Sequence, residues 1–353
     1  MGEKVLMKGN EALAEAAIRA GCRYFFGYPI TPQNEVPEYM SRRLPEVGGV
    51  FVQAESEVAA SNMIYGAACA GARVMTSSSS PGISLMQEAL SYIAGAELPC
   101  VVANIVRGGP GLGGIQPAQS DYLQATKGGG HGDYHLFVFG PGSVQEIVDI
   151  TMEAFEIADR YRNPVMILSD GVLGQMMEPV EFPDHYEPGN IPKPWATTGA
   201  KGRPRNIITS LELDPVKLEQ HNIALAEKYK KASQELTRHE EYMTEDADVV
   251  VVAYGTTARV ARAAVDRARK AGVKAGLFRP ISLYPFPSGA LFDLATRAGA
   301  FLTVEMSMGQ MVEDVRLAVN GTRPVHFYGR AGGMIPTTRE VYGEICKVVE
   351  GRV

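Results

Sequence analysis

The sequence predicts an α/β protein with two parallel sheets, each covered by helices on both faces, joined by an irregular connection. Three observations carry this. Apolar runs of strand length alternate with helix-length segments from residue 25 to residue 168. The pattern breaks at residues 184–205, where Pro183, Pro188, Pro192, Pro194 and Pro204 crowd together. A second alternation opens at Asp248.

Taken in order, residues 25–28 lead into a turn, 49–53 read as a short strand and 56–70 as a helix of small residues. Residues 72–76 read as a strand and 81–94 as a helix. The run 98–106 is continuously apolar and ends in glycines, as expected of a strand buried on both faces. A helix over 144–161 and a strand over 164–168 complete the first unit, drawn as residues 1–185. Residues 186–246 form the linker and a charged helical stretch, 215–243, whose thin apolar stripe places it on a surface or between units. The second unit, 247–353, has strands at 249–253, 275–278, 300–304 and 325–328 and a helix at 258–271.

The bulk numbers narrow the function. The chain has 353 residues, with 34 basic and 40 acidic side chains for a formal charge of −6. That balance argues against nucleic acid or an anionic membrane as the main partner. Residues 1–8 carry Glu3, Lys4 and Lys8 with no apolar core, and no 18-residue apolar run occurs, so the reading is cytoplasmic. Cys22, Cys69, Cys100 and Cys346 stand far apart, without the spacing of a zinc or iron–sulfur site. The first three lie in apolar stretches and read as small buried hydrophobes.

Four features could carry chemistry. In Tyr28-Pro29-Ile30-Thr31-Pro32, two prolines fix the backbone around Thr31, which reads either as a helix cap or as a hydroxyl held at a strand end. Glu57 opens a helix with almost no charged face. It reads as a first-turn carboxylate complementing the helix dipole, or as a partly desolvated carboxyl suited to relaying a proton. Arg107 ends the apolar run and precedes a glycine cluster, where a guanidinium could hold a carboxylate bidentately or sit in a surface ion pair. In Thr76-Ser77-Ser78-Ser79-Ser80-Pro81, Ser80 is expected to cap the next helix, and the other hydroxyls could line a polar cofactor pocket. Gly109, Gly111 and Gly114 match the dinucleotide-binding pattern formally, but no apolar-periodic helix follows, so a nucleotide-binding module is the remotest reading.

These segments, with residues 8–12, 127–133 and 304–311, resemble the α subunit of 2-oxoacid:ferredoxin oxidoreductases over nearly the whole chain. The resemblance implies a thiamine-diphosphate-binding-like pyrimidine domain followed by a transketolase-C-terminal-like domain. It implies that Glu57 contacts N1′ of the aminopyrimidine, favouring the imino form that takes the thiazolium C2 proton. It places the 2-oxo acid on Thr31 and Arg107, and further cofactor contacts on Pro29, Ile30, Ser78 and Ser79. It also implies a β subunit holding the diphosphate and Mg²⁺, a γ subunit, and a ferredoxin-like subunit with the iron–sulfur cluster. Ferredoxin and CoA act as reactants, and the chain is expected to self-associate. No Gly-Asp-Gly metal motif occurs here, since Ser169-Asp170-Gly171 lacks the first glycine, so the lone chain is expected to be inactive. Residues 77–80 and 171–177 look most like the 2-oxoisovalerate (3-methyl-2-oxobutanoate) members, and next like the 2-oxoglutarate members. The competing reading is half of a non-redox transketolase or synthase.

Overall fold

The structure, a computed structural model, describes residues 4–184, 186–189 and 191–352. Readings that involve residues 1–3, or the boundary at residue 185, lie partly outside those residues.

The chain runs β1 (Val5–Lys8), α1 (Gly9–Arg19), β2 (Tyr24–Gly27), α2 (Glu35–Glu46), β3 (Val50–Gln53), α3 (Glu57–Cys69), β4 (Val74–Ser78), α4 (Pro81–Gly95) and β5 (Cys100–Val106). It continues through α5 (Tyr122–Lys127), β6 (Phe137–Phe139), α6 (Val144–Tyr161), β7 (Pro164–Asp170), α7 (Gly171–Gln175), β8 (Met177–Val180) and the long α8 (Pro215–Leu236). After β9 (His239–Tyr242) come β10 (Val249–Val252), α9 (Gly255–Lys270), β11 (Ala275–Pro280), β12 (Ser282–Tyr284) and α10 (Ser288–Ala295). The last elements are β13 (Ala300–Glu305), α11 (Met311–Val319), β14 (Val325–Gly329) and α12 (Thr338–Val349).

A seven-stranded sheet has the order β12-β6-β7-β5-β4-β2-β3, parallel except for the antiparallel edge strand β12. Because side chains alternate along a strand, β5 sends Val101, Ala103 and Ile105 into one core and Val102 and Val106 into the other. The first core is closed by Leu13, Ala17, Ile147 and Phe155 of α1 and α6. The second is closed by Ile64, Met86 and Leu90 of α3 and α4, and it continues through Val250, Phe278 and Leu291 beneath the second sheet. Apolar strands covered on both faces are what the run 98–106 predicts.

The second sheet has the order β14-β13-β10-β11-β9, with β9 antiparallel to β11. Two expectations are corrected here. The charged helix ends at Leu236, well short of Met243, and His239–Tyr242 pairs as a strand. The stripe Leu225, Tyr229, Ala232 and Leu236 recurs at helical spacing and seats α8 on the first core, and it stops where that core stops. Cys69 is only partly buried, whereas Cys22 and Cys100 are fully buried, with thiols that burial pushes up to about 12. No helix among the described residues is long and apolar enough to cross a membrane.

Candidate active site

In an open parallel sheet, ligands bind beyond the carboxyl ends of the strands, where loops from neighbouring strands converge. That edge here carries Glu57 after β3, the Tyr28–Pro32 turn after β2, Ser78–Ser80 at the end of β4, Arg107 after β5 and Asp170 at the end of β7. Every residue expected to bind substrate or cofactor therefore lies on one edge.

Glu57 is the first residue of α3, where Ser56 caps the helix by accepting from the Ala59 N–H at 3.2 Å. Its side chain turns inward and the residue is only 6% exposed. Among the described residues nothing donates to its carboxylate. A polar group that is buried yet unpaired inside its own chain is poised for a partner from outside. Gly82 of α4 makes the space: a Cβ there would lie 2.6 Å from Glu57 Oε1 and 2.0 Å from Ser78 Oγ. The hydroxyls of Thr76, Ser78 and Ser79 are also buried without a partner. Of these, the Ser78 hydroxyl lies with the Glu57 carboxylate against Gly82. Pro29 is exposed and Ile30 half-buried on the turn after β2.

Thr31 and Arg107 are brought together. Arg107 is 9% exposed; its guanidinium donates to the carbonyls of Thr31 at 2.9 Å and Leu112 at 3.3 Å, and its Nε has no acceptor. The surface ion pair is overturned: no carboxylate of the described residues reaches this guanidinium, because the chain folds residues 108–117 back over it, with Gly108 N–H donating to Gln116 at 2.8 Å. Thr31 does not cap α2; Asn34 holds that position, and its side-chain amide donates to the Thr31 hydroxyl at 3.3 Å. The turn is gripped from beneath by the side chains of Asn10 and Gln175, which donate to the Pro32 carbonyl at 2.8 and 2.9 Å.

Ser80 departs from its expected role as well. Its φ of 25° and ψ of −81° turn the hydroxyl away from the first turn of α4, so it makes no side-chain cap. The hydroxyl meets the backbone of Arg107 instead, 3.1 Å from both its N–H and its carbonyl. Asn104 and Asp121, which the sequence reading missed, lie behind Ser80. The Ser80 N–H donates to Asn104 Oδ1 at 3.2 Å, and Asn104 Nδ2 donates to Asp121 Oδ2 at 2.9 Å. Burial pushes the Asp121 carboxyl above its ordinary range, against the opposing pull of the Asn104 amide and the Ser80 hydroxyl. Gln33 was missed too; it ties the turn to β4 by accepting from Ser77 and donating to the Tyr28 carbonyl. The missed signal is short polar residues inside apolar runs, since Asn104 interrupts Val101–Val106.

Asp170 is committed to the protein. Its Oδ1 accepts from Val172, Leu173 and the Thr256 hydroxyl, and its Oδ2 from the Thr256 N–H at 3.0 Å. It joins the second unit to the sheet edge. After Gly114 the chain stays irregular until the six-residue α5, so the glycine-rich segment presents no helix end to a pyrophosphate. Two cavities of about 380 and 450 Å³ flank Gly108–Pro110 and share Asp121. A larger one, about 760 Å³, lies by Met152 and Phe182, elements away from this chemistry.

Residues 15–253 match the family described as pyruvate flavodoxin/ferredoxin oxidoreductase, thiamine diphosphate-binding, and residues 247–341 match pyruvate:ferredoxin oxidoreductase core domain II. The chain belongs to the 2-oxoacid:ferredoxin oxidoreductase family. This oxidoreductase subunit is similar to the ketoisovalerate oxidoreductase subunit VorB of Methanothermobacter marburgensis, 52% identical over 343 residues, 97% of each chain. It is 37% identical to the 2-oxoglutarate synthase subunit KorA of Methanothermobacter thermautotrophicus over 377 residues, covering 99% of this chain and 100% of that one. Among solved structures it is similar to the 2-oxoglutarate:ferredoxin oxidoreductase of Magnetococcus marinus, with TM-score 0.86 and 28% identity. That alignment covers 98% of this chain and 65% of the longer one. A split-gene transketolase shares the fold at TM-score 0.63 with 16% identity, a likeness of fold alone. The non-redox transketolase reading is therefore not favoured, and the relatives' subunit names imply that this oxidoreductase subunit works with other chains.

Proposed function

We propose that this chain binds the aminopyrimidine ring of thiamine diphosphate at Glu57 and the 2-oxo acid at Thr31 and Arg107. The assembly it joins would convert the acid, with CoA, to acyl-CoA, CO₂ and reduced ferredoxin. The observation that carries this is the presence, on one sheet edge, of an inward-turned carboxylate that no described residue donates to, 6% exposed, and a buried guanidinium whose Nε has no acceptor. The unpartnered hydroxyls of Ser78 and Ser79, and the Glu57 carboxylate packed against Gly82, supply polar groups for the ring, with Pro29 and Ile30 as further contacts.

When bound, the cofactor supplies the nucleophile and electron sink that decarboxylation needs. Glu57 shares a proton with the ring nitrogen N1′. The Arg107 guanidinium takes the substrate carboxylate in place of a backbone carbonyl, forming the stronger charge-assisted contact. The Thr31 hydroxyl accepts from Asn34, so its own proton is free for the keto oxygen.

Two subunits 52% identical to this chain carry the ketoisovalerate name, which favours 2-oxoisovalerate as substrate, with 2-oxoglutarate next. Asp170 is spent on protein donors, and no cluster of metal-ligating side chains occurs among the described residues. Following the resemblance, we assign the diphosphate with its Mg²⁺ to a β subunit and the iron–sulfur cluster to a ferredoxin-like subunit, with a γ subunit completing the assembly. Four free cysteines accord with a cytoplasmic setting.

The test is to purify the chain with its co-assembling subunits and follow dye reduction by a panel of 2-oxo acids with CoA. Branched-chain acids should be used most efficiently. Glu57→Gln should slow exchange of the cofactor C2 proton by about a hundredfold or more while the subunits still assemble. Exchange at the normal rate would remove Glu57 from the role.

A further inference from the structure

We propose that Asn104 and Asp121 are positioning residues for the substrate site, setting Arg107 through Ser80. The inference rests on the assignment of Arg107 to the substrate carboxylate. Ser80 has a backbone conformation that L-residues rarely adopt, so something must hold it there. Its N–H is taken by Asn104 Oδ1, and the same amide reaches on to Asp121 Oδ2. Held in this way, the Ser80 hydroxyl bridges both backbone polar groups of Arg107. From there the guanidinium extends to the Thr31 carbonyl.

The inner links are buried: Asn104, 1% exposed, and Ser80, 9%, lie where water does not substitute for a lost contact, while Asp121 is half-buried. Asp121 has no cationic partner among the described residues; its hydrogen-bonded neighbour is the Asn104 amide. The carboxylate thereby dictates which way that amide faces, leaving Oδ1 as the atom presented to Ser80. A reversed amide would offer its NH₂ to the Ser80 N–H, donor against donor, and release the strained turn. Gly82 lies two residues later, so the same turn also sets the backbone against which Glu57 packs.

The pair has a polarity that can be inverted. In Asn104→Asp, two carboxylate oxygens face each other where a hydrogen bond stood. In Asn104→Asp with Asp121→Asn, the aspartate still accepts from Ser80 while the new amide donates back to it. With the assembled complex, Asn104→Asp should raise KM for the 2-oxo acid about tenfold or more, with kcat falling less than about threefold. The double variant should recover to within about threefold of the Asp121→Asn single variant. A double variant no better than Asn104→Asp would overturn the inference, as would equal losses in kcat and thermal stability without a KM change. If Asn104→Asp does not assemble, Asn104→Ser removes both contacts without adding charge. It should show the same KM rise, and an unchanged KM would refute the role. A wild-type complex that oxidises no 2-oxo acid would instead sink the functional assignment itself, so the two failures are distinguishable.

Discussion

At the scale of single residues, the site is defined by what is left unpaired. The hydroxyls of Ser78 and Ser79 are buried without partners, and Glu57, 6% exposed, has no donor among the described residues, an arrangement costly enough to ask for an explanation. Gly82 is the residue that lets the Ser78 hydroxyl and the Glu57 carboxylate pack against the backbone of α4. Gly82→Ala would put a methyl group into the Ser78 hydroxyl and the Glu57 carboxylate, so thiamine diphosphate affinity in the complex should fall about tenfold or more, measured by titration calorimetry. Arg107 is poised differently, because its two backbone acceptors are neutral. Arg107→Lys keeps the charge but loses the planar fork, so KM for the 2-oxo acid should rise by about tenfold or more in steady-state assays.

At the scale of elements, the long buried strands and amphipathic helices were legible and the short connecting pieces were not. The run ending at Val106 could be read because both faces of β5 are covered, so hydrophobicity is continuous but for Asn104. The three-residue strands Phe137–Phe139 and Ser282–Tyr284 have no periodicity to read; their pairing is decided by the sheet they join. Ser80 looked like a cap because serine before proline usually is one, but its strained backbone aims the hydroxyl at Arg107. Tertiary demand overrode local preference there. The roles proposed for Glu57, Thr31 and Arg107 come from the resemblance, since each residue alone also fitted a structural role. The joint between the units was not legible at all, because Asp170 and Thr256 lie 86 residues apart. Asp170→Ala would leave the buried Thr256 N–H and hydroxyl without their acceptor, at a cost of about 2–4 kcal/mol in chemical denaturation.

At the scale of the whole molecule, charged pairs and a shared core bind the two units. Arg279 of β11 reaches Glu146 of α6 and Glu240 of β9, and Arg259 of α9 reaches Glu178 of β8. Burial alone would raise Glu240 and Glu178, but Arg262 and Arg279 for the first, and the Val144 N–H and Arg259 for the second, hold both below the ordinary 4.5. A depressed carboxylate stabilises the fold above its unfolded value and loses that contribution as pH falls through the folded value. The melting temperature should therefore drop as pH is lowered from 4.5. Arg262→Gln should make that drop shallower, which differential scanning fluorimetry across pH would check.

The two sheets are also cross-threaded. β9, which precedes the second unit, closes one edge of its sheet, while β12, from inside the second unit, crosses back to finish the other sheet. Scissors applied at any one peptide bond between Gly27 and Val325 would leave at least one of the sheets short of a strand. Severed halves should emerge from the ribosome with a bare, adhesive margin and tend to clump, so both halves would have to be made together to find each other. Any gene split that nature or an engineer attempts in this lineage has to respect that lacing.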